Sequence, residues 1–145
     1  MELLGAHVRL SAMAILIAGT LGLLIGILLS EYRKAAPAVI GICNVFYTIP
    51  SISMLGILIP LLGIGDRNAV TAISIYALMP MVRNTYTGLV TVDQDILEAA
   101  KAMGSTRMQI LRRVKLPLAL PVILTGLRSM TVMAISMCGL ASYIG

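Results

Sequence analysis

The sequence predicts an all-α, polytopic membrane protein of one unit, residues 1–145, with about four membrane-spanning helices and a helix–Gly–helix loop between the third and fourth. Three observations carry this. Hydrophobic residues make up 59% of the chain, charged residues only 12%, and the mean hydropathy is +0.98, whereas a soluble domain carries about a quarter charged residues. Apolar runs recur over residues 10–29, 39–62, 69–90 and 118–140, each long enough to cross a hydrocarbon core of about 30 Å. The one long polar stretch lies within residues 91–117.

The first span, Leu10 to Leu29, follows Arg9, as the core of a signal peptide would. Its apolar run is too long for one and no small-x-small cleavage site closes it, so a retained helix is expected. Gly19, Gly22 and Gly26 recur on one face, a stripe that lets a neighbouring helix approach closely. Glu31-Tyr32-Arg33-Lys34 forms a charged turn, and Pro37 restarts the chain.

The second span, Val39 to Leu62, is interrupted by Pro50 and Pro60, and Asn44, Tyr47, Thr48, Ser51 and Ser53 make its middle polar. Backbone groups freed near Pro50 need partners from neighbouring helices, hydroxyls or water. Asn44, Tyr47 and Ser51 are therefore candidates for a solute path. The alternative is a kinked helix whose hydroxyls bond their own backbone.

The third span, Ala69 to about Val90, contains Pro80 and brings Arg83 near its end, to snorkel to headgroups or to pair with Asp93 or Asp95. In the fourth, Leu118 to about Leu140, Pro121 falls in the first turn, where proline is tolerated. Arg128 lies well inside that run. It is a path candidate facing the bundle interior or water, or else a structural contact to helix carbonyls. No acidic residue lies within any span. Cys43 and Cys138 sit in apolar runs as small hydrophobes, and His7 has no second His or Cys at ligand spacing, so no metal site is expected.

In the polar stretch, Asp95 and Glu98 have capping-box spacing, and Ile96, Leu97, Ala100 and Met103 fall near one helical face up to Gly104. Thr106 and Gln109 repeat the capping-box spacing, so a second short helix is expected from Arg107 to Lys115, its continuation limited by Pro117. The hairpin and the Glu31–Lys34 turn fall on one side and collect Arg33, Lys34, Lys101, Arg107, Arg112, Arg113 and Lys115, leaving Arg9 and Arg67 on the other. The positive-inside rule makes the basic side cytoplasmic and puts both termini outside. Topology thus accounts for a net charge of +5 without nucleic acid.

Glu98-Ala99-Ala100, three residues, Gly104, nine residues and then Val114-Lys115-Leu116-Pro117 resembles the EAA loop of ABC importer permeases, the binding-protein-dependent transport family, with Val114 where the family has Ile. The resemblance implies a bacterial or archaeal cell membrane protein whose cytoplasmic loop docks on an ATPase subunit, with Glu98, Ala99, Ala100, Gly104, Leu116 and Pro117 as the coupling residues. Ala99 and Ala100 would admit a partner surface, Glu98 would offer it a charge, and Gly104 permits the reversal. Tyr47-Thr48-Ile49-Pro50-Ser51 with Leu61-Leu62-Gly63-Ile64-Gly65, and Met79-Pro80 through Gly88, are similar to the branch that imports osmoprotectants such as glycine betaine, carnitine or choline. The other partners implied are a second permease copy or paralogue, an extracytoplasmic substrate-binding protein and membrane lipid. Family members generally carry a further helix after the fourth span, introduced by a Gly-rich turn. Here the chain stops at Ser142-Tyr143-Ile144-Gly145, so a C-terminally short permease is expected.

No Walker A pattern, nucleophile–base pair or metal cluster is present in the sequence, so no enzyme activity and no cofactor is expected in this chain, with ATP and Mg bound by the partner. An aromatic cage for a quaternary ammonium is not expected from 4% aromatic residues, with Tyr47 and Tyr76 the only tyrosines well inside spans. Selectivity would then lie with the binding protein. Methionine, phosphonate and nitrate-type importers are the nearest alternatives. An amphipathic hairpin on anionic lipid would also use this polar stretch. A membrane-anchored helix-turn-helix regulator conflicts with the short arms and Pro117, and a secondary transporter conflicts with the absence of intramembrane carboxylates.

Overall fold

The computed structural model describes residues 2–141, and every regular element among them is helical. The order is α1 (Glu2–Glu31), α2 (Ala36–Thr48), α3 (Ser51–Leu62), α4 (Asp66–Val90), α5 (Gln94–Ala102), α6 (Arg107–Ile110), a π-helical turn (Leu111–Lys115) and α7 (Leu116–Ala141). The turn expected at 142–145 lies outside the described residues.

Helices α1 and α7 flank α4 along its length. Their approach depends on missing side chains. A methyl added at Gly26 would stand 2.5 Å from Thr85 Cβ, and one at Gly22 would stand 2.7 Å from Met81 Cβ. On the other side, one at Gly126 would meet Asn84 Cβ at 2.6 Å. Lipid is as apolar as the side chains, so helix association here comes from such close van der Waals contact. The stripe on α1 therefore serves packing, as its spacing implied.

By length and apolarity, α1 and the continuous helix from Arg107 to Ala141 can cross a membrane, and α2 with α3 qualifies only as a bent pair. The expected third span does not stand out in this way. With 25 residues α4 is long enough, at about 1.5 Å per residue, yet it carries Asp66, Arg67 and Arg83. Twelve of its residues are buried, Asn68 and Thr85 among them, whereas Asp66, Arg67 and Arg83 are exposed.

Of the proline expectations, the interruption at Pro50 is present, while those at Pro60 and Pro117 need correction. The second span is two helices meeting at 97°, not one kinked helix, because Ile49 and Pro50 are both extended (ψ 130° and 136°). Pro60 interrupts nothing: it sits inside α3 and removes one i→i−4 donor, yet the helix runs on to Leu62. Pro117 likewise fails to stop the second arm, which runs directly into α7. The wide π-helical turn immediately before it, closed by Leu116 N–H donating to the Leu111 carbonyl, eases the crowding a proline ring brings to the preceding turn.

Candidate functional site

The hairpin is held by local hydrogen bonds at each helix end. Helix α5 begins at Asp93, whose carboxylate accepts from the Asp95 N–H at 2.9 Å. The cap is thus two residues earlier than the spacing of Asp95 and Glu98 suggested, and Asp95 falls in the first turn, where its charge complements the helix dipole. The helix closes on a left-handed Gly104, φ 81°. There the Ser105 N–H donates to the Ala100 carbonyl and the Gly104 N–H to the Lys101 carbonyl, the paired bonds of a Schellman turn. The expected capping box at Thr106 is complete. Its N–H donates to Gln109 Oε1 at 2.8 Å, and the Gln109 N–H donates to Thr106 Oγ1 at 3.3 Å.

Between the arms, Leu97, Ala100, Val92 and Ile110 form a small core, with Val114 against it. This divides a face that the sequence treated as one. Leu97 and Ala100 point inward, whereas Ile96 and Met103 are exposed, Met103 at 80%. Glu98, Ala99 and Gly104 are also exposed. Ala99 and Ala100, expected to act together at a partner surface, therefore separate: Ala99 is on the outside and Ala100 is in the hairpin's own core. Leu116 is half-buried and Pro117 exposed at the base of α7.

An ion pair missed by sequence reasoning ties this hairpin to the bundle. Lys115 Nζ donates to Glu31 Oε1 at 2.8 Å, and the lysine side chain is only 13% exposed. Both residues had been assigned to one side by charge counting, but nothing in their spacing announced the contact. Arg83 forms no ion pair among the described residues, and Asp93 is occupied as a cap.

At the far end of α2, the break leaves the Ile49 carbonyl without a helical donor. The Tyr76 hydroxyl of α4 donates to it. The ring of Tyr76 lies 5.9 Å from that of Tyr47, tilted at 47°, and the Tyr47 hydroxyl reaches Met133 Sδ of α7 at 3.8 Å. Helix α3 is fastened by Asn68, whose Nδ2 donates to the Leu55 carbonyl at 3.1 Å. Thr48 bonds its own backbone, donating to the Val45 carbonyl at 2.7 Å. Tyr76 and Asn68 were not candidates; the signal that pointed toward Tyr76 was the need for a donor near Pro50.

Of the path candidates, Asn44, Tyr47 and Ser51 stay near this break, the first two exposed and Ser51 half-buried. Arg128 does not join them. It is exposed and makes no hydrogen bond or ion pair to a described residue, so neither the bundle interior nor a helix carbonyl receives it. Its place on α7 is five residues before Met133, roughly 140° round the axis. Cys138 is buried as expected, but Cys43 is only partly so.

Known proteins match this arrangement. The choline transport system permease protein OpuBD of Bacillus subtilis (strain 168) is 39% identical over the whole chain. The glycine betaine/carnitine/choline transport system permease protein OpuCD of the same organism is 40% identical over 96% of it. The osmoprotectant import permease protein OsmW of Salmonella typhimurium is 40% identical over 96%. The chain spans 64%, 61% and 67% of those relatives respectively. Among solved structures, two crystal forms of the inward-facing MetNI methionine ABC transporter superpose on it. One has a TM-score of 0.81 at 24% identity, covering the whole of this chain and 76% of that one; the other has 0.79 at 26%, covering 90% and 67%. Over residues 18–145 the sequence fits the description of the binding-protein-dependent transport system inner membrane component. The family expected from the Glu98–Pro117 pattern is thus the one found, and this chain belongs to the binding-protein-dependent transport inner membrane components.

Proposed function

We propose that the chain is membrane-spanning permease material of an ATP-driven importer for quaternary-ammonium osmoprotectants, working by alternating access. The hairpin is the observation that carries this. It is a rigid lever with its own core, bonded to α1 through Glu31–Lys115, and it presents Ile96, Ala99 and Met103 beside the charge of Glu98. An exposed apolar stripe on a short polar hairpin fits a protein groove. ATP-driven closure of a partner ATPase would move the lever as a body and tilt the spans. The partner ATPase binds ATP and Mg; a second permease copy and an external binding protein complete the assembly. The basic residues on the hairpin side support a cytoplasmic lever.

The solute class rests on relatives about 40% identical whose names specify choline, glycine betaine, carnitine or osmoprotectant import. The methionine transporter resembles the chain at 24–26% identity, which favours the osmoprotectant reading over a methionine one. Asn44 and Tyr47 are exposed at the break, so a path along them would be completed by a surface outside this chain.

Co-purification from native membranes tests the coupling role. Wild type is expected to bring down an ATPase subunit. Glu98→Lys and Gly104→Asp are expected to lose it at unchanged membrane levels. Recovery of the ATPase with both variants would sink the hairpin's role, and uptake of methionine in place of choline or glycine betaine would overturn the solute class.

A further inference from the structure

The chain has six aromatic side chains, one Phe and five Tyr. Three of them, Phe46, Tyr47 and Tyr76, gather at the break in the second span. We infer that the ring of Tyr47, backed by Tyr76, is a contact surface for the quaternary ammonium group of the solute during its passage. This rests on the importer reading above and adds a site to it.

A quaternary ammonium carries no N–H and cannot be held by donating hydrogen bonds. Carboxylates, carbonyl dipoles and aromatic faces attract it. The apolar runs supply no carboxylate, which leaves the rings as the side chains suited to it. Tyr76 cannot take the cation itself: it is 4% exposed and its hydroxyl is committed to the Ile49 carbonyl. It is a fixed backing. Tyr47, 5.9 Å away and tilted at 47°, is 45% exposed. Its hydroxyl has only the soft contact with Met133 Sδ at 3.8 Å, so the ring is steadied without being enclosed. Asn44, three residues earlier on the same helical flank, is exposed and offers an amide to the polar end of such a solute. Two rings do not make a cage, in keeping with the sparse aromatic content. One open face gives a weak hold, which suits a point that a solute must both reach and leave.

The assay is initial uptake of radiolabelled choline and glycine betaine by the complete importer, expressed in a strain without other quaternary-ammonium uptake. Tyr47→Phe, which keeps the ring and loses only the hydroxyl contact to Met133, is the reference for the fluorine series. Tyr47→Leu is expected to lower uptake by roughly two- to thirtyfold, the range of a cation–π contact, at equal membrane level and equal ATPase recovery. Phenylalanine bearing one, two and then three ring fluorines at position 47 is expected to lower uptake stepwise, because fluorine withdraws ring electron density while nearly preserving shape. A purely structural role for the pair gives a flat fluorine series. That result, or a Tyr47→Leu importer equal to wild type, overturns the site and leaves the importer reading intact. If Tyr47→Leu does not reach the membrane, the fluorine series decides alone. Wild-type importer that moves neither compound marks failure of the importer reading itself, and the site falls with it.

Discussion

The α1–α4–α7 bundle and the α2–α3 pair are both oily, yet they are held in opposite ways. In the bundle, Gly22, Gly26 and Gly126 bring backbones against neighbouring side chains with no room for a methyl. In the pair, Ala36 is the one buried residue of α2, and Met54 and Leu55 are the buried residues of α3. To this sparser apolar packing the pair adds a few directed bonds: Tyr76 to Ile49, Asn68 to Leu55, and the light contact of Tyr47 with Met133. Continuous close packing makes a frame that moves as a body. Point attachments make a segment that can change its angle when a few bonds change. An importer working as proposed, by tilting its spans, would use both.

Glycine substitutions probe this difference most severely. Gly26→Leu is expected to destabilise the fold by about 3 kcal/mol or more, since even its Cβ collides with Thr85. At Gly56 of α3, where a Cβ meets nothing within 4 Å, Gly56→Ala is expected to be neutral or stabilising by up to about 1 kcal/mol through helix propensity. Thermal unfolding of the two purified variants in one detergent compares them directly. Similar losses at both positions would dissolve the distinction between frame and attachment.

A smaller effect is expected from Tyr76→Phe, which keeps the ring and removes the donor to the Ile49 carbonyl. An orphaned carbonyl away from water costs about 2 kcal/mol, and the loss is expected to concentrate in the pair. Hydrogen exchange should accelerate around residues 46–54 while the α1–α4 interface stays protected. Uniform acceleration would mean that the break and the bundle open together.

Asn68→Leu is expected to cost less, about 1 kcal/mol. It removes the bond to Leu55 but also removes Oδ1, a buried acceptor without a partner among the described residues. Melting of Asn68→Leu beside Asn68→Ala checks this, and Ala should be the worse of the two because it leaves a cavity.

Least is expected of the ion pairs at the ends of the bundle. A double-mutant cycle on Glu31 and Lys115 should give a coupling of about 0.5–1 kcal/mol, with the lysine largely withdrawn from solvent. Arg9 and Asp66, both about 60% exposed, should couple by less than about 0.5 kcal/mol. Added salt should weaken the exposed pair first. An equal response of the two would mean that the Glu31–Lys115 contact does not anchor the hairpin as its burial implies.

Much of the hairpin was legible because its signals are local. The complete capping box at Thr106 and the stop at Gly104 depend on residues within a few positions of one another, and both are where the sequence put them. Even the displaced cap, Asp93 for Asp95, is an error of two residues in a correctly placed helix. Its inward and outward faces were less legible. Ile96, Leu97, Ala100 and Met103 share a broad arc, and only the second arm, supplying Ile110, decides which of them it covers.

The sequence by itself determined the family, the helical class, the placement of the apolar runs and the hairpin between the last two, since hydropathy, caps and motif spacing are properties of short stretches. Tertiary structure decided the rest. It turned an interrupted span into two helices at 97°, let α7 continue through Pro117, and joined Lys115 to Glu31 across 84 residues. It also left Arg128 on an outer face and brought Tyr47 against Tyr76. The physical reason is the same in each case. A proline says that a donor is missing and a tyrosine that one is available, but whether they meet depends on how closely glycine-lined helices let their neighbours approach.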